Sequence, residues 1–189
     1  MPGHKGVYGP QGTGVLICGE GTETRTLLEG GTGSLSALQE MPDFLPDRLE
    51  AGTHNMPGIA GLLAGVRFLR GRGVERICRH EQNLMALTAR ELRKLPGVRV
   101  YGGEDLSCQT GVLSFSCRET DTMELGTALA GRGIAVRTGL HCSPLSHRTA
   151  GTLEQGTVRV SFSAFNLERE VFQLARVLRE ILEERRDNS

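Results

Sequence analysis

"GHKGVYGPQGTG", residues 3–14, sets one lysine between a histidine and a run of glycines. The chain has two lysines, Lys5 and Lys94, against twenty arginines. Lys94 falls in "ARELRKLPG" at the expected end of a helix, where the helix dipole favours a cation. Lys5 has no such local reason. An amine flanked by bare backbone, which a bulky group can approach, suits a Schiff base with an aldehyde. The plainer alternative is a surface lysine on a glycine-rich hairpin. "GPQGTG" is not followed by the Lys-Ser/Thr of a phosphate loop, so it reads as the turn leading into Val15.

The 189 residues suit one domain or two small ones. Lys+Arg and Asp+Glu are 22 each, so the formal charge is zero and the basic footprint of a nucleic-acid binder is missing. The longest uncharged apolar stretch, 56–66, holds three glycines and a proline and is too short to cross a bilayer. The start lacks the apolar segment of a signal peptide. Five cysteines, an odd number without CxxC, argue against a disulfide framework and for a reducing, cytoplasmic setting.

Working outward, Val15 to Cys18 is a short apolar run that predicts a buried strand. "EGGTGS", 29–34, and the proline-bearing segment 39–58 predict flexible and irregular backbone. A helical pattern runs from Ile59 to about Leu69. A second runs from Val74 to about Leu95, stopped by Pro96-Gly97. Strands are expected at 98–101, at 112–116 with Leu113 and Phe115 on one face, at 134–136 and at 157–162. Asp121 with Glu124 predicts a capping box for a helix ending near Gly131 or Gly133. Asn166 is expected to cap a last helix with Leu167, Val171, Leu174, Leu178 and Ile181 in one stripe. The expected division is therefore 1–72, part of a larger α/β domain, a connecting helix 73–96, and a small α+β domain 97–189.

Among the cysteines, Cys18 and Cys117 adjoin strands and read as small core residues, Cys78 as a helix contact, and Cys108 is ambiguous. Cys142, in "RTGLHCSPLSH", belongs to a loop where Arg137 and His141 favour a thiolate. His141, Cys142 and His147 are permitted zinc ligands, but the paired spacing is missing and no metal is expected. His147 is expected at a loop near the site mouth or exposed. His54 and His80 read as ordinary surface histidines.

"GHKGVYGPQGTGVLI", "EGGTGS", "PDRLEAGTHNMPGIAGL", "GIAVRTGLHCSPL" and "GTVRVSFSAFN" stand in the order found in class V aminotransferases, fold-type I pyridoxal-phosphate enzymes. The last two resemble the ends of cysteine desulfurases and selenocysteine lyases. The resemblance covers nearly the whole chain but only the C-terminal half of the family fold, so a fold-type I remnant plus a small domain is expected. It implies that Lys5 carries the Schiff base with pyridoxal 5'-phosphate and moves the substrate α-proton. His4 contacts the cofactor phosphate, and Thr53 reaches the phosphate of a neighbouring subunit's cofactor, which implies a homodimer. Arg159 grips the substrate carboxylate, with Arg137 and His141 beside the substrate. Cys142 takes sulfur from L-cysteine, leaving alanine and a persulfide for a sulfur-acceptor protein. Pro2 stands where many relatives carry serine or threonine. The alternatives are an incomplete, dimerising fragment, and an aminotransferase or lyase of the class without a catalytic cysteine.

Overall fold

The computed structural model describes residues 1–103, 105, 107–118 and 120–187. It divides into two compact units, Met1–Arg72 and Gly73–Ser189.

The first unit is mostly loop. Its one long element is α1, Met56–Arg72. Gly58, Gly61 and Gly65 recur along α1 at helical spacing and leave a face without side chains, on which residues 3–13 lie. A Cβ on Gly58 would stand 2.7 Å from Thr13 Cγ2, and one on Gly61 3.0 Å from Pro10 Cδ. A Cβ on Gly65 would strike the Val7 carbonyl. The tip of that loop is pinned where the Tyr8 ring meets Phe68 edge-on, centroids 5.4 Å apart. Its stem closes as expected of a hairpin: Pro2 bridges Gly14, and Gly3 N–H donates to Thr13 O at 2.8 Å.

The strand expected at Val15 to Cys18 does not form. Leu16 and Ile17 are 73% and 76% exposed. A strand exists only by pairing, and the pairing here ends with the Pro2–Gly14 bridge and the bonds between Val15 and Met1, leaving no ladder for Leu16 to Cys18. Residues 39–55 are irregular as expected, apart from a 3-10 turn at Asp47–Leu49, whereas Met56, Pro57 and Gly58, expected in the same irregular segment, form the first turn of α1.

The second unit is a two-layer α/β sandwich. Four antiparallel strands, β1 (Val98–Tyr101), β2 (Val112–Cys117), β3 (Arg137–Gly139) and β4 (Thr157–Ser161), lie in the order β1-β2-β4-β3. On one face pack α2 (Val74–Leu92), α3 (Thr122–Gly131) and α5 (Glu168–Asp187). Their buried stripes, including Met85, Ala89 and Leu92, then Leu125 and Leu129, then Leu174, Leu178 and Ile181, meet Leu113, Phe115, Val158 and Val160 from the sheet. This is the period-2 and period-3.6 patterning that the sequence shows. Half of the expected capping box forms at α3: Asp121 Oδ1 accepts from Met123 N and Glu124 N at 2.8 and 3.0 Å, while Glu124 Oε2 turns outward to accept from Arg185 Nη1 at 3.1 Å.

Four expectations need correction here. The strand expected at Ile134 to Val136 lies at Arg137–Gly139, because β4 sets the register through Arg137 opposite Arg159. Asn166 does not cap α5. Its Oδ1 turns back to accept from Ser163, while Glu170 accepts the Leu167 N–H at 3.0 Å and so closes the helix start. Leu167 is consequently exposed and leaves the stripe. Cys78 is exposed rather than in a helix contact.

The short helix α4, Pro144–Ala150, serves the opposite, polar face of the sheet. There His147 and Ala150 line a cavity of about 210 Å³ with Tyr101, Ser114 and Thr157. No described helix is long and apolar enough to cross a membrane.

Candidate active site

Lys5 and His4 stand exposed at the outer bend of the glycine loop. The Lys5 carbonyl accepts the Tyr8 N–H at 2.9 Å, and Gly9 N–H donates to Gly3 O at 2.7 Å, so the bend is closed on itself. The loop is therefore held by backbone bonds and by the glycine face of α1, leaving the lysine amine at its surface. Thr53 is also exposed and lines another cavity of the first unit, of about 390 Å³, with Thr32, Ser34, Asp47 and His54. Lys5 and His4 are not among its lining residues. Lys94 is engaged with Glu91 at 2.8 Å, the helix-end pairing that its sequence position suggests.

The other candidates converge in the second unit, on the polar face of β3 and β4. Val158 and Val160 face the core, so alternation turns Thr157 and Arg159 the other way. The ladder places Arg137 directly opposite Arg159. Like charges facing each other across strands destabilise a sheet unless something anionic sits between them. Two features answer that. Arg137 Nη2 donates to Cys142 Sγ at 3.2 Å. Arg159 Nε is buried without a hydrogen-bond partner, a donor held ready for an acceptor.

His141 turns away from the thiol, and its Nε2 lies 3.0 Å from Thr157 Oγ1. Burial, followed by the charges of Arg159, His147 and Arg137, holds its ring below the ordinary histidine range, against the opposing pull of the Thr157 bond. The ring is thereby kept neutral at neutral pH, and the cation in contact with the Cys142 sulfur is Arg137. Both residues of the His141-Cys142 pair have left-handed backbone, with φ of 54° and 60°. Cys142 is exposed at that turn. Cys117, by contrast, is buried in the core, and desolvation pushes its thiol up to about 11.

His147 is not exposed, contrary to expectation. It is 6% accessible, with Nδ1 2.8 Å from Thr152 Oγ1. His80 is half-buried, with Nε2 2.9 Å from the Asn166 carbonyl oxygen. Among the described residues no three His, Cys, Asp or Glu side chains gather as a metal site. Sequence reading missed Thr157, Thr152 and the glycine face of α1. The last was visible as Gly58, Gly61 and Gly65. The two threonines carry no signal until the strands are paired.

The arrangement thus holds a free amine on a braced glycine loop in one unit. The other holds a thiol touched by a guanidinium beside an unsatisfied arginine donor. The Aminotransferase class-V family model matches residues 1–174, and the chain belongs to that family. It is 36% identical over 185 residues to a probable cysteine desulfurase of Mycolicibacterium paratuberculosis, covering 96% of this chain and 26% of that protein. It is 34% identical over 188 residues to a probable cysteine desulfurase of Methanothermobacter thermautotrophicus, covering 96% and 46%. Among solved structures, the apo cysteine desulfurase of Thermococcus onnurineus NA1 matches with TM-score 0.83 at 34% identity, over 96% of this chain and 46% of that one. An S-sulfonic acid form of a cysteine desulfurase from Escherichia coli matches with TM-score 0.79 at 29% identity, over 96% and 45%. The chain spans less than half the length of each, so its mixed α/β fold corresponds to part of the fold-type I cysteine desulfurase chains.

Proposed function

We propose that this chain carries the covalent and sulfur-accepting residues of a pyridoxal 5'-phosphate-dependent cysteine desulfurase, converting L-cysteine to L-alanine with a persulfide left on the protein. The observation that carries the reading is the cluster on β3 and β4: Arg137 donating to Cys142 Sγ, next to the orphaned Nε of Arg159. A substrate amino acid brings a carboxylate, which a guanidinium binds through parallel N–H donors. It also brings a sulfur for the exposed thiol. That donor set fits an amino-acid substrate, and the unencumbered amine of Lys5 fits an aldehyde cofactor.

Lys5 would hold the cofactor through its amine, with His4 at the phosphate and Thr53 at the phosphate of a second copy's cofactor, in a homodimer. The bound cofactor supplies an electron sink for the substrate's α-carbon. Lys5 Nζ moves the α-proton. Arg159 fixes the carboxylate, and the Arg137 N–H holds Cys142 Sγ in place beside it. Cys142 Sγ bonds to the substrate sulfur as the carbon–sulfur bond breaks. Cysteine and thiol become alanine and a persulfide with no outside oxidant. A sulfur-acceptor protein would then reach Cys142 at its exposed turn.

One observation favours a second reading, an incomplete piece acting only as a structural or dimerising partner. Leu16, Ile17 and Leu27 stand exposed in a unit with few buried apolar side chains. Supplying L-cysteine and pyridoxal 5'-phosphate separates the readings. The desulfurase releases alanine in step with sulfide under a reductant, and Cys142→Ala stops the sulfide while cofactor colour remains. Colour lost with sulfide retained in that variant rejects Cys142 as the acceptor. No alanine released and no colour developed favours the structural piece.

A further inference from the structure

His147 has no task in the chemistry above, yet it is buried in an inverted pattern. In α4 the apolar Leu145 is 70% exposed while the polar His147 is 6% exposed. A buried imidazole is costly unless bonded, and an apolar residue would fill the space more cheaply. His147 is bonded three times to one residue, the longest bond running from Thr152 Oγ1 to the His147 carbonyl at 3.5 Å. Its Nδ1 lies 2.8 Å from Thr152 Oγ1, and its carbonyl accepts the Thr152 N–H at 2.8 Å. The chain reverses between them at Gly151, the left-handed cap of α4.

The ring so fixed stands against His141, with centroids 5.5 Å apart and planes tilted by 47°. His141 is itself tied to β4 through Thr157. His141 and the next residue, Cys142, are two consecutive non-glycine residues in left-handed backbone. That conformation costs roughly 1–2 kcal/mol per residue and persists only where its surroundings enforce it. The turn's own backbone bond, Ser143 N to Leu140 O, and the Ser143–Ser146 hydroxyl contact close it but do not reach the sheet.

We propose that His147, locked by Thr152, is a positioning residue: with His141 it forms a brace that holds the 141–142 turn left-handed and keeps Cys142 Sγ within reach of Arg137. This rests on the reading of Cys142 as the sulfur acceptor and adds the device that presents it.

The test is peptide-resolved iodoacetamide labelling of the full chain, which needs neither cofactor nor turnover. Buried Cys117 reports whether the second unit stays folded. Thr152→Val keeps the side chain's shape and removes only the hydroxyl. It slows labelling of Cys142 by about fivefold, because the thiol leaves the guanidinium, while Cys117 stays protected. Thr152→Ser restores the wild-type rate, which a general packing defect would not. His147→Ala slows Cys142 likewise; should it expose Cys117, the threonine pair alone decides. An unchanged or faster Cys142 rate in Thr152→Val, with Cys117 protected, overturns the proposal. If the labelling behaves as expected but Cys142→Ala still releases sulfide, the brace stands and the sulfur-acceptor reading fails.

Discussion

Cys142 and Cys117 share a side chain and differ in everything around it. One is exposed at a turn with an arginine N–H on its sulfur; the other is enclosed by the core with its thiol pushed up to about 11. At pH 8 iodoacetamide is expected to label Cys142 and spare Cys117, read by peptide mass mapping; labelling of Cys117 in the folded chain would contradict its burial. His141 gives a pH signature. Its ring is held below the ordinary histidine range in the folded chain, so below that range the unfolded chain binds a proton that the folded one refuses. Its contribution is full above about pH 6.5 and is lost as pH falls beneath it. The unfolding temperature should therefore fall from pH 7 to pH 5, and His141→Gln should flatten that slope. The facing of Arg159 was legible at this scale, because Val158 and Val160 fix the alternation. The burial of His147 was not, because it depends on where α4 settles against the sheet.

Local signals and long-range register divide the elements. Helix α3 starts at Asp121 because a carboxylate there satisfies two free N–H groups, and the sequence shows this directly. Asp121→Ala should cost about 1 kcal/mol in urea unfolding. Strands β1 and β2 stand where their alternation places them. β3 does not, because three residues have too little pattern of their own and take their position from pairing with β4. That pairing needs Gly156. Its φ is 65°, and a Cβ there would stand 2.8 Å from Gly139 Cα. Gly156→Ala should push β3 from β4 and destabilise the second unit by about 1–3 kcal/mol, measured in the same way; a stability equal to wild type would mean the strands part without cost.

Across the molecule, burial is uneven. The second unit encloses a continuous apolar core between sheet and helices, whereas α1 buries only Leu62 and two glycines, and Leu16, Ile17, Leu27 and Leu28 face outward. Amide exchange should be slowest in α2, β2, β4 and α5 and fast through residues 15–50. Leu178→Ala, at a fully buried site, should cost about 2–5 kcal/mol. This unevenness also explains what sequence reading could reach. The second unit is specified by its own periodicities. Val15 bonds Met1 through both of its backbone groups, but residues 16–18 have strand chemistry and no strand partner among the described residues, so their pattern alone misplaces them.

The functional account turns on the amine of Lys5. Reducing the protein with borohydride in the presence of pyridoxal 5'-phosphate, then mapping the peptides, tests it most directly. The account predicts a stable cofactor adduct on Lys5 and none on Lys94, whose amine is paired with Glu91. An adduct confined to Lys94, or no adduct at all, would contradict it.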